Sequence, residues 1–463
     1  MNKAIITEQF LFDIGNSIRE KTGDSNSYKP SEMASAIMRI RTQGNIISKR
    51  ITENGIYNCE SEGVDGYNIV DVDVEQSNDN YDLLLRNKTG NFVDNTITGI
   101  NSYVFYNYEN IEGAFCENAK VIYSNAFYNC INLKQISFPN CEEIRSYAFR
   151  FCSNSLFSML SLPKCRTISD HAFQNCSSLI SINMPSCTFV GTSAFYDCVN
   201  LRYVTLPSCN ELASSAFANC SKMEEISIPL CKKIGSGAFY NAKALMSVNA
   251  YSLSHIGYNA FYNCSNLSEI DLTNCSIIGN GAFYNCSALQ SINAPLISSI
   301  NADAFCGCHL LSEINAQNVE IVYARAFLSC STLSEVEFSL CEQIHSSAFY
   351  DCIGLTSISF PNVSYISTMA FGNCSNLRVA SFPKLNRLRK SAFYGASVLE
   401  SLYLLNSSVV TLDAVNVFGN TPLSLSSYLG YYGSIYVLAS LVESYKSARY
   451  WSSYSDRIVA YEG

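Results

Sequence analysis

The hydrophobic and polar positions of the chain repeat at a fixed interval over most of its 463 residues. An Ala-Phe pair, or a close variant, returns every 22 residues, with one longer step of 24 residues between Phe149 and Phe173. The marker phenylalanines are Phe105, Phe127, Phe149, Phe173, Phe195, Phe217, Phe239, Phe261, Phe283, Phe305, Phe327, Phe349, Phe371 and Phe393, and Phe418 follows 25 residues later as a degenerate copy. Such regularity indicates stacked copies of one small structural unit.

Each unit reads as one β-strand followed by a return segment. Side chains alternate over residues 179–185, which predicts Ile182 and Met184 inward and Ser181 and Asn183 outward. Stacked strands of this kind form a parallel sheet, with the phenylalanines as a stacked spine in the core. The sequence therefore predicts an α/β or mainly β repeat solenoid of leucine-rich repeats of about 22 residues, with roughly fourteen coils.

Two further columns of the repeat hold mostly cysteine. The first column contains Cys130, Cys152, Cys176, Cys198, Cys220, Cys264, Cys286, Cys308, Cys330, Cys352 and Cys374, with Ala242 and Ala396 as substitutes; the second contains Cys141, Cys165, Cys187, Cys209, Cys231, Cys275 and Cys341, with Leu, Ile or Val elsewhere. Exchange with small apolar residues predicts buried, reduced core thiols. Disulfides or zinc are disfavoured because the spacing is regular and C-x-x-C pairs are missing, so no metal and no cofactor are expected. Cys59 and Cys116 fit neither column.

Asparagine recurs two residues after the phenylalanine. It occupies this position at Asn107, Asn129, Asn175, Asn219, Asn241, Asn263, Asn285 and Asn373. We interpret the column as turn residues that bond neighbouring main chain, with a ligand-binding polar row as the less favoured alternative.

The two ends differ from the repeats. Residues 1–80 predict an N-terminal attachment module, with two helices within residues 1–42 and a short β unit that includes the alternating residues 67–75. Residues 81–425 form the predicted solenoid. Residues 426–463 predict a C-terminal cap, with a strand around Tyr436, a helix from Ser440 with a capping box to Glu443, and then Trp451.

Charge and motifs exclude several classes of protein. The formal net charge is −9 and no cluster of Lys and Arg occurs, which argues against nucleic-acid partners. No segment reaches the roughly 20 apolar residues of a membrane span, and no secretion signal is recognisable, so we expect no membrane insertion and folding in a cytoplasm. The four histidines match no catalytic motif. Glu335 and Glu337 are a possible glycosidase pair, but a solvated face is the better interpretation, and the prediction is no enzyme.

What remains is an exposed surface for binding. The outward strand positions form a row rich in hydrogen-bond acceptors, with candidate binding residues Tyr203, Glu225, Glu269, Asp271, Glu313, Glu335, Glu337 and Tyr403. Such a row suits a hydroxyl-rich glycan or a basic protein. The tyrosines that follow the marker phenylalanines, Tyr128, Tyr196, Tyr240, Tyr262, Tyr284, Tyr350 and Tyr394, are candidates for sugar stacking, although packing between coils is the preferred interpretation.

The repeat itself resembles a known family. The segment "IGNGAFYNCSALQSINAP" at residues 278–295 is similar to the unit of BspA-type leucine-rich repeats, and the resemblance covers residues of about 100 to 420. The flanking stretches "ITENGIYN" and "GSIYVLASLVESYKSARYWSSYSDRI" are similar to modules in tail proteins of phages and prophages of Gram-positive gut bacteria, although Leu438 stands where that motif more often has Pro.

These resemblances imply a function in surface recognition. They imply a phage tail-tip or tail-fibre protein that binds a bacterial surface glycan or protein through the solenoid and contacts other virion tail proteins through its N-terminal module. The expected location is then the virion, assembled in the host cytoplasm, and the expected partners include further copies of the same chain in a homo-oligomer. The alternative is an exported adhesin on the bacterial cell surface.

Overall fold

The computed structural model describes residues 90–424 and 432–462. Within them the chain is a parallel β-solenoid of about 17 turns with few helices. The predicted mainly β repeat solenoid is confirmed, but the predicted number of fourteen coils was too low. The stacking continues through the coil of Phe418 and into the C-terminal segment, which lacks the Ala-Phe motif used for counting. The predicted helices and β unit of residues 1–80 lie outside the described residues.

One series of strands, here called the long ladder, follows the predicted alternating segments. Its strands are Gly90–Val93, Ile111–Phe115, Gln135–Ser137, Met159–Ser161, Ser181–Asn183, Tyr203–Thr205, Glu225–Ser227, Ser247–Asn249, Glu269–Ile270, Ser291–Asn293, Glu313–Asn315, Ser357–Ser359, Val379–Ser381, Ser401–Leu404, Ser434–Leu438 and Ile458–Tyr461. Most neighbouring strands pair in parallel, coil upon coil, and the pairing is interrupted after Gln135–Ser137, Glu269–Ile270 and Glu313–Asn315. As predicted, Ile182 and Met184 are buried and Asn183 is exposed.

A second series, the short ladder, was not predicted. Its two-residue strands are Gly99–Ile100, Val121–Ile122, Glu143–Ile144, Thr167–Ile168, Phe189–Val190, Glu211–Leu212, Lys233–Ile234, His255–Ile256, Ile277–Ile278, Ser299–Ile300, Ile321–Val322, Gln343–Ile344, Tyr365–Ile366, Arg387–Leu388 and Thr411–Leu412. Each buries its second residue, and the strands pair in parallel from coil to coil except between Ile277–Ile278 and Ser299–Ile300. This ladder was not predicted because alternation cannot be recognised in a strand of two residues. The coils therefore contribute strands to two ladders, where the sequence predicted one.

The marker phenylalanines form the predicted spine. Consecutive rings from Phe105 to Phe418 stack with centroids 4.9 to 6.0 Å apart. The turn around them is also hydrogen-bonded between coils: the Phe127 N–H donates to the Ala148 carbonyl at 2.7 Å, and this bond recurs along the stack. Stacking and backbone bonds together fix the spacing of the coils.

The cysteines fill the core as predicted, and they also donate hydrogen bonds. All twenty cysteines within the described residues are buried and free of disulfides. In the first column each Sγ lies 3.0 to 3.2 Å from the carbonyl oxygen of the phenylalanine of the preceding coil. In the second column each Sγ lies 3.3 to 3.5 Å from the carbonyl two residues ahead. Cys116, which fitted neither column, follows the strand residue Phe115 that pairs with Ser137, and so occupies the core position of Phe138.

The asparagine column has a structural role, but through side-chain bonds that the sequence did not predict. Asn241 has φ 59°, in the left-handed region that asparagine tolerates. Its Nδ2 donates to Asn219 Oδ1 at 3.1 Å, and its own Oδ1 accepts from Asn263 Nδ2 at 3.0 Å. The amides therefore bond one another between coils, while the Asn241 N–H donates to the Tyr262 carbonyl.

The C-terminal segment packs on the last coil. Strand Ser434–Leu438 lies where predicted, a short α-helix covers Val442–Ser447, and 3₁₀ helices cover Ala439–Leu441 and Trp451–Arg457. The predicted capping box is wrong: the helix begins after Leu441, because a 3₁₀ turn precedes it, and no side chain caps it. Trp451 is buried, and its Nε1 donates to the Val410 carbonyl at 2.6 Å.

Candidate functional site

The predicted binding residues of the N-terminal half of the solenoid lie side by side on the outer face of the long ladder, a surface here called the acceptor strip. In parallel register, Tyr203 lies next to Glu225, and Ser247 lies next to both Glu225 and Glu269. All three predicted side chains are exposed. The Tyr203 hydroxyl donates to Glu224 Oε2 at 3.0 Å, which holds the ring at the edge of the strip.

Farther along, the predicted carboxylates are all exposed, but Asp271 and the pair Glu335 and Glu337 lie outside the strands. Glu313 belongs to strand Glu313–Asn315. Asp271 follows its strand and accepts from the N–H and the hydroxyl of Thr273 at 2.9 and 2.7 Å. Glu335 and Glu337, which the sequence analysis placed on a strand as candidate binding residues, lie in a segment without strand structure. The 22-residue repeat places Glu335 beside Glu313, and like charges in adjacent positions oppose pairing.

Tyr403 lies in an aromatic cluster that the sequence analysis did not identify. Its ring stacks on Tyr436 at a centroid distance of 4.7 Å, and Tyr461 meets it edge to face at 5.9 Å. Strand pairing places Tyr403 next to Tyr436. Tyr436 and Tyr461 come from the C-terminal segment, whose strands could not be aligned with the repeat because they lack its motif. The strip therefore ends in a half-buried aromatic platform.

The tyrosines that follow the marker phenylalanines form a separate column on another edge. Tyr240, Tyr262 and Tyr284 stack face to face with centroids 4.8 and 4.7 Å apart, as expected for packing between coils. Beside this stack lies a depression with a volume of about 420 Å³. Its lining includes Asp303 and Arg325, which pair through two hydrogen bonds of 2.7 Å each.

Neighbouring groups raise the pKa values of both Tyr284 and Arg325 at this depression. The hydrogen bonds to Asp303 raise the pKa of Arg325 above its ordinary value, so the guanidinium stays charged. The neighbouring Cys306 thiol and partial burial raise the pKa of Tyr284, which keeps its hydroxyl protonated at neutral pH. The sequence signals that were overlooked are Cys306, which interrupts the tyrosine column, and Gly281.

The neighbours that the fold gives to the metal-ligand residue types and to two of the histidines determine the role of these side chains. Among the described residues no group of three His, Cys, Asp or Glu side chains is placed to hold a metal ion. His171 bonds Gln174 and stacks on Tyr147, and His309 bonds the Ser329 carbonyl, so both have structural partners. In residues 90–424 and 432–462 no helix is both long and apolar enough to cross a membrane.

The stacked coils define the class of the protein, a leucine-rich-repeat solenoid with a polar, acceptor-rich ladder face. Three overlapping stretches, residues 98–224, 210–334 and 298–424, match the BspA type leucine rich repeat region. Because these stretches cover well over half of the sequence, the chain belongs to the BspA-type leucine-rich-repeat family.

Solved structures of similar repeat proteins come from several bacteria. A leucine-rich repeat protein from Bacteroides ovatus is 21% identical, with 71% of this chain and 92% of that one covered and a TM-score of 0.48. A leucine rich cell surface protein from Faecalibacterium prausnitzii is 21% identical, with coverages of 72% and 91% and a TM-score of 0.36. The pneumococcal vaccine antigen PcpA is 17% identical, with coverages of 88% and 97% and a TM-score of 0.43. A comparison with curated protein sequences finds no relative.

Proposed function

We propose that the chain is a receptor-binding protein that recognises a bacterial surface glycan or protein through its solenoid, as part of a phage tail tip or tail fibre. The observation that carries this proposal is the acceptor strip, which presents exposed carboxylates, amides and hydroxyls in register on a rigid scaffold. Rigid presentation lowers the entropy lost on binding.

Acceptor groups favour a partner that donates hydrogen bonds. The exposed carboxylates Glu225, Glu269 and Glu313 lie on alternate coils, separated by Ser247 and Ser291. Adjacent parallel strands lie about 4.8 Å apart, so these carboxylates recur about every 10 Å. A hydroxyl-rich glycan or a basic protein segment matches this spacing and charge.

The test is the binding of fluorescently labelled full-length protein to Gram-positive gut bacteria, measured by flow cytometry. The double variant Glu335→Ala/Glu337→Ala removes two carboxylates of the strip. We expect reduced binding, whereas the free energy of unfolding changes by less than about 0.5 kcal/mol, as is usual at exposed positions.

A matched control is Glu320→Ala/Glu342→Ala. These exposed carboxylates lie in neighbouring coils next to the short ladder, so the control changes net charge equally on another face. Binding that falls equally in both double variants would indicate a general charge effect, and binding unchanged in the strip variant would place the receptor site elsewhere.

The phage assignment is distinguished from the second candidate, an exported adhesin, by location. In the strain that encodes the chain, we expect antibody against it to detect it in gradient-purified phage particles after prophage induction. Detection only among proteins released by protease from intact cells would favour the adhesin. Within the proposal, residues 1–80 attach the chain to other tail proteins, and residues 426–463 act as the cap.

A further inference from the structure

The depression beside the tyrosine column lies over Gly281, next to the point where the column of tyrosines ends at Tyr284. Tyr262 stacks on one face of the Tyr284 ring. The next position of the column is Cys306, so within residues 90–424 and 432–462 no ring stacks on the other face. Two positions before the phenylalanine, residue 281 is Gly with φ 61°. A Cβ there would lie 2.3 Å from Asn259 Oδ1, so a larger residue would displace the amide.

Polar groups with unused hydrogen-bonding capacity surround this opening. The exposed side-chain amides of Asn259 and Asn280 line the depression and have no hydrogen-bond partner within residues 90–424 and 432–462. Arg325 uses Nε and one N–H of Nη2 for Asp303, so its Nη1 group remains available as a donor. The site thus combines an aromatic face with both donors and acceptors.

The charge of the site is balanced. The guanidinium of Arg325 and the carboxylate of Asp303 form a bidentate pair, which removes the net charge that an anionic ligand would require. Hydroxyl groups donate and accept at once, and a sugar ring also has an apolar face that packs against an aromatic ring. A volume of about 420 Å³ is large enough for one or two sugar rings.

We propose that this depression binds a neutral hexopyranose unit of a glycan, with the sugar packed on the open face of Tyr284 and its hydroxyls bonded by Arg325, Asp303 and Asn259. The inference deepens the proposed function, on which its biological role rests, by adding a second subsite away from the acceptor strip. Binding of an isolated sugar can be tested without bacterial cells.

The test uses saturation-transfer NMR with full-length protein and the methyl glycosides of glucose, galactose, mannose and N-acetylglucosamine, with methyl glucuronide as an anionic probe. We expect at least one neutral glycoside to receive saturation at about 10 mM, a range typical of weak single-site binding, and the glucuronide to receive none. No saturation of any neutral glycoside, or preferential saturation of the glucuronide, would overturn the proposal.

Cys306→Tyr is the decisive variant, because it continues the tyrosine stack over the open face of Tyr284. The column already accepts Tyr in several coils, and Ala218→Tyr is a matched control that adds a ring to the same column between Tyr196 and Tyr240. We expect saturation of the neutral glycoside to fall about tenfold in Cys306→Tyr and to persist in Ala218→Tyr. Equal saturation in both variants would refute the site.

A second variant guards against misfolding. Arg325→Met removes the exposed donor and leaves the tyrosine stack, so we expect the same loss with an unchanged thermal midpoint. If Arg325→Met binds sugar normally, the proposal is wrong. If Cys306→Tyr and Arg325→Met no longer bind the sugar but still bind bacterial cells, the subsite exists and the cell receptor binds elsewhere. If no sugar binds to the protein and only the acceptor-strip variant binds cells less, the proposed function stands and this subsite is refuted.

Discussion

At the scale of single residues, the repeat selects side chains for specific bonds as well as for size. The first cysteine column is an example: Ala242 and Ala396 show that a small residue suffices for packing, yet eleven thiols lie within hydrogen-bond distance of a carbonyl of the preceding coil. Burial raises the pKa of Cys176 and of Cys220 well above the ordinary value, so these two thiols remain protonated donors. Cysteine therefore combines a core volume with a weak donor.

The asparagine column allows a test that separates backbone conformation from side-chain bonding. Asn241→Ala loses both amide bonds and places Ala at φ 59°, whereas Asn241→Gly loses the bonds but tolerates the conformation. We expect Asn241→Ala to lower the free energy of unfolding by about 2 kcal/mol and Asn241→Gly by about 1 kcal/mol. Urea denaturation followed by circular dichroism measures both values.

Gly307 and Gly395 already occupy this column with positive φ, which makes glycine the natural control at Asn241. Equal destabilisation by Ala and Gly would show that only the amide bonds matter. A more stable Ala variant would show that the left-handed conformation carries no strain at this position.

At the scale of elements, a strand or a column was predictable from the sequence only where its pattern of hydrophobic residues was long enough to show a period. The phenylalanine spine and the strands such as Ser181–Asn183 were predictable, because a 22-residue period and alternation leave clear signals. The short ladder was missed because two residues carry no period. The stacked pair Tyr403 and Tyr436 was only half found, because the second ring belongs to a segment outside the repeat.

The depression was missed for a different reason. Its residues belong to different coils, and only the three-dimensional stack brings Tyr284, Asp303 and Arg325 together. Aligning the repeats and asking where each column changes residue type would have marked Gly281 and Cys306. In a repeat sequence, departures from the column pattern can therefore mark depressions of the folded surface.

The interrupted long ladder at residues 335–337 gives a prediction about an element. If repulsion between the adjacent Glu313 and Glu335 opposes pairing there, Glu335→Ser/Glu337→Ser should restore the strand, since the next coil has Ser357 and Ser359 and forms strand Ser357–Ser359. We expect slower hydrogen exchange of the Val336 amide, measured by mass spectrometry on peptides covering this coil. Unchanged exchange would mean that charge is not the cause of the interruption.

At the scale of the whole molecule, the buried thiols make stability depend on alkaline pH. Burial raises the pKa of Cys187 to about 12 and that of Cys275 to about 11, against 9.0 for the unperturbed thiol. Below pH 9 both states are protonated, and the stabilisation is fully present. Above pH 9 the unfolded chain releases protons that the folded chain retains, so stability is lost as pH rises towards 11 to 12.

The size of this effect follows from the number of thiols. Each contributes a slope of up to about 1.4 kcal/mol per pH unit, and ten such thiols match the total stability of about 5 to 15 kcal/mol typical of a folded domain. We therefore expect the solenoid to unfold cooperatively between pH 9 and 11, as measured by circular dichroism and by urea midpoints.

A control variant separates the ionisation of the thiols from that of the tyrosines, which also ionise near pH 10. It carries Ala in place of Cys198, Cys220, Cys264 and Cys286, whose column already accepts Ala242 and Ala396. Compared with the unsubstituted protein, this variant should release about four fewer protons on unfolding at pH 10, so its stability should fall less steeply between pH 8 and pH 10. An unchanged pH slope would show that ionisation of the buried thiols does not drive the transition.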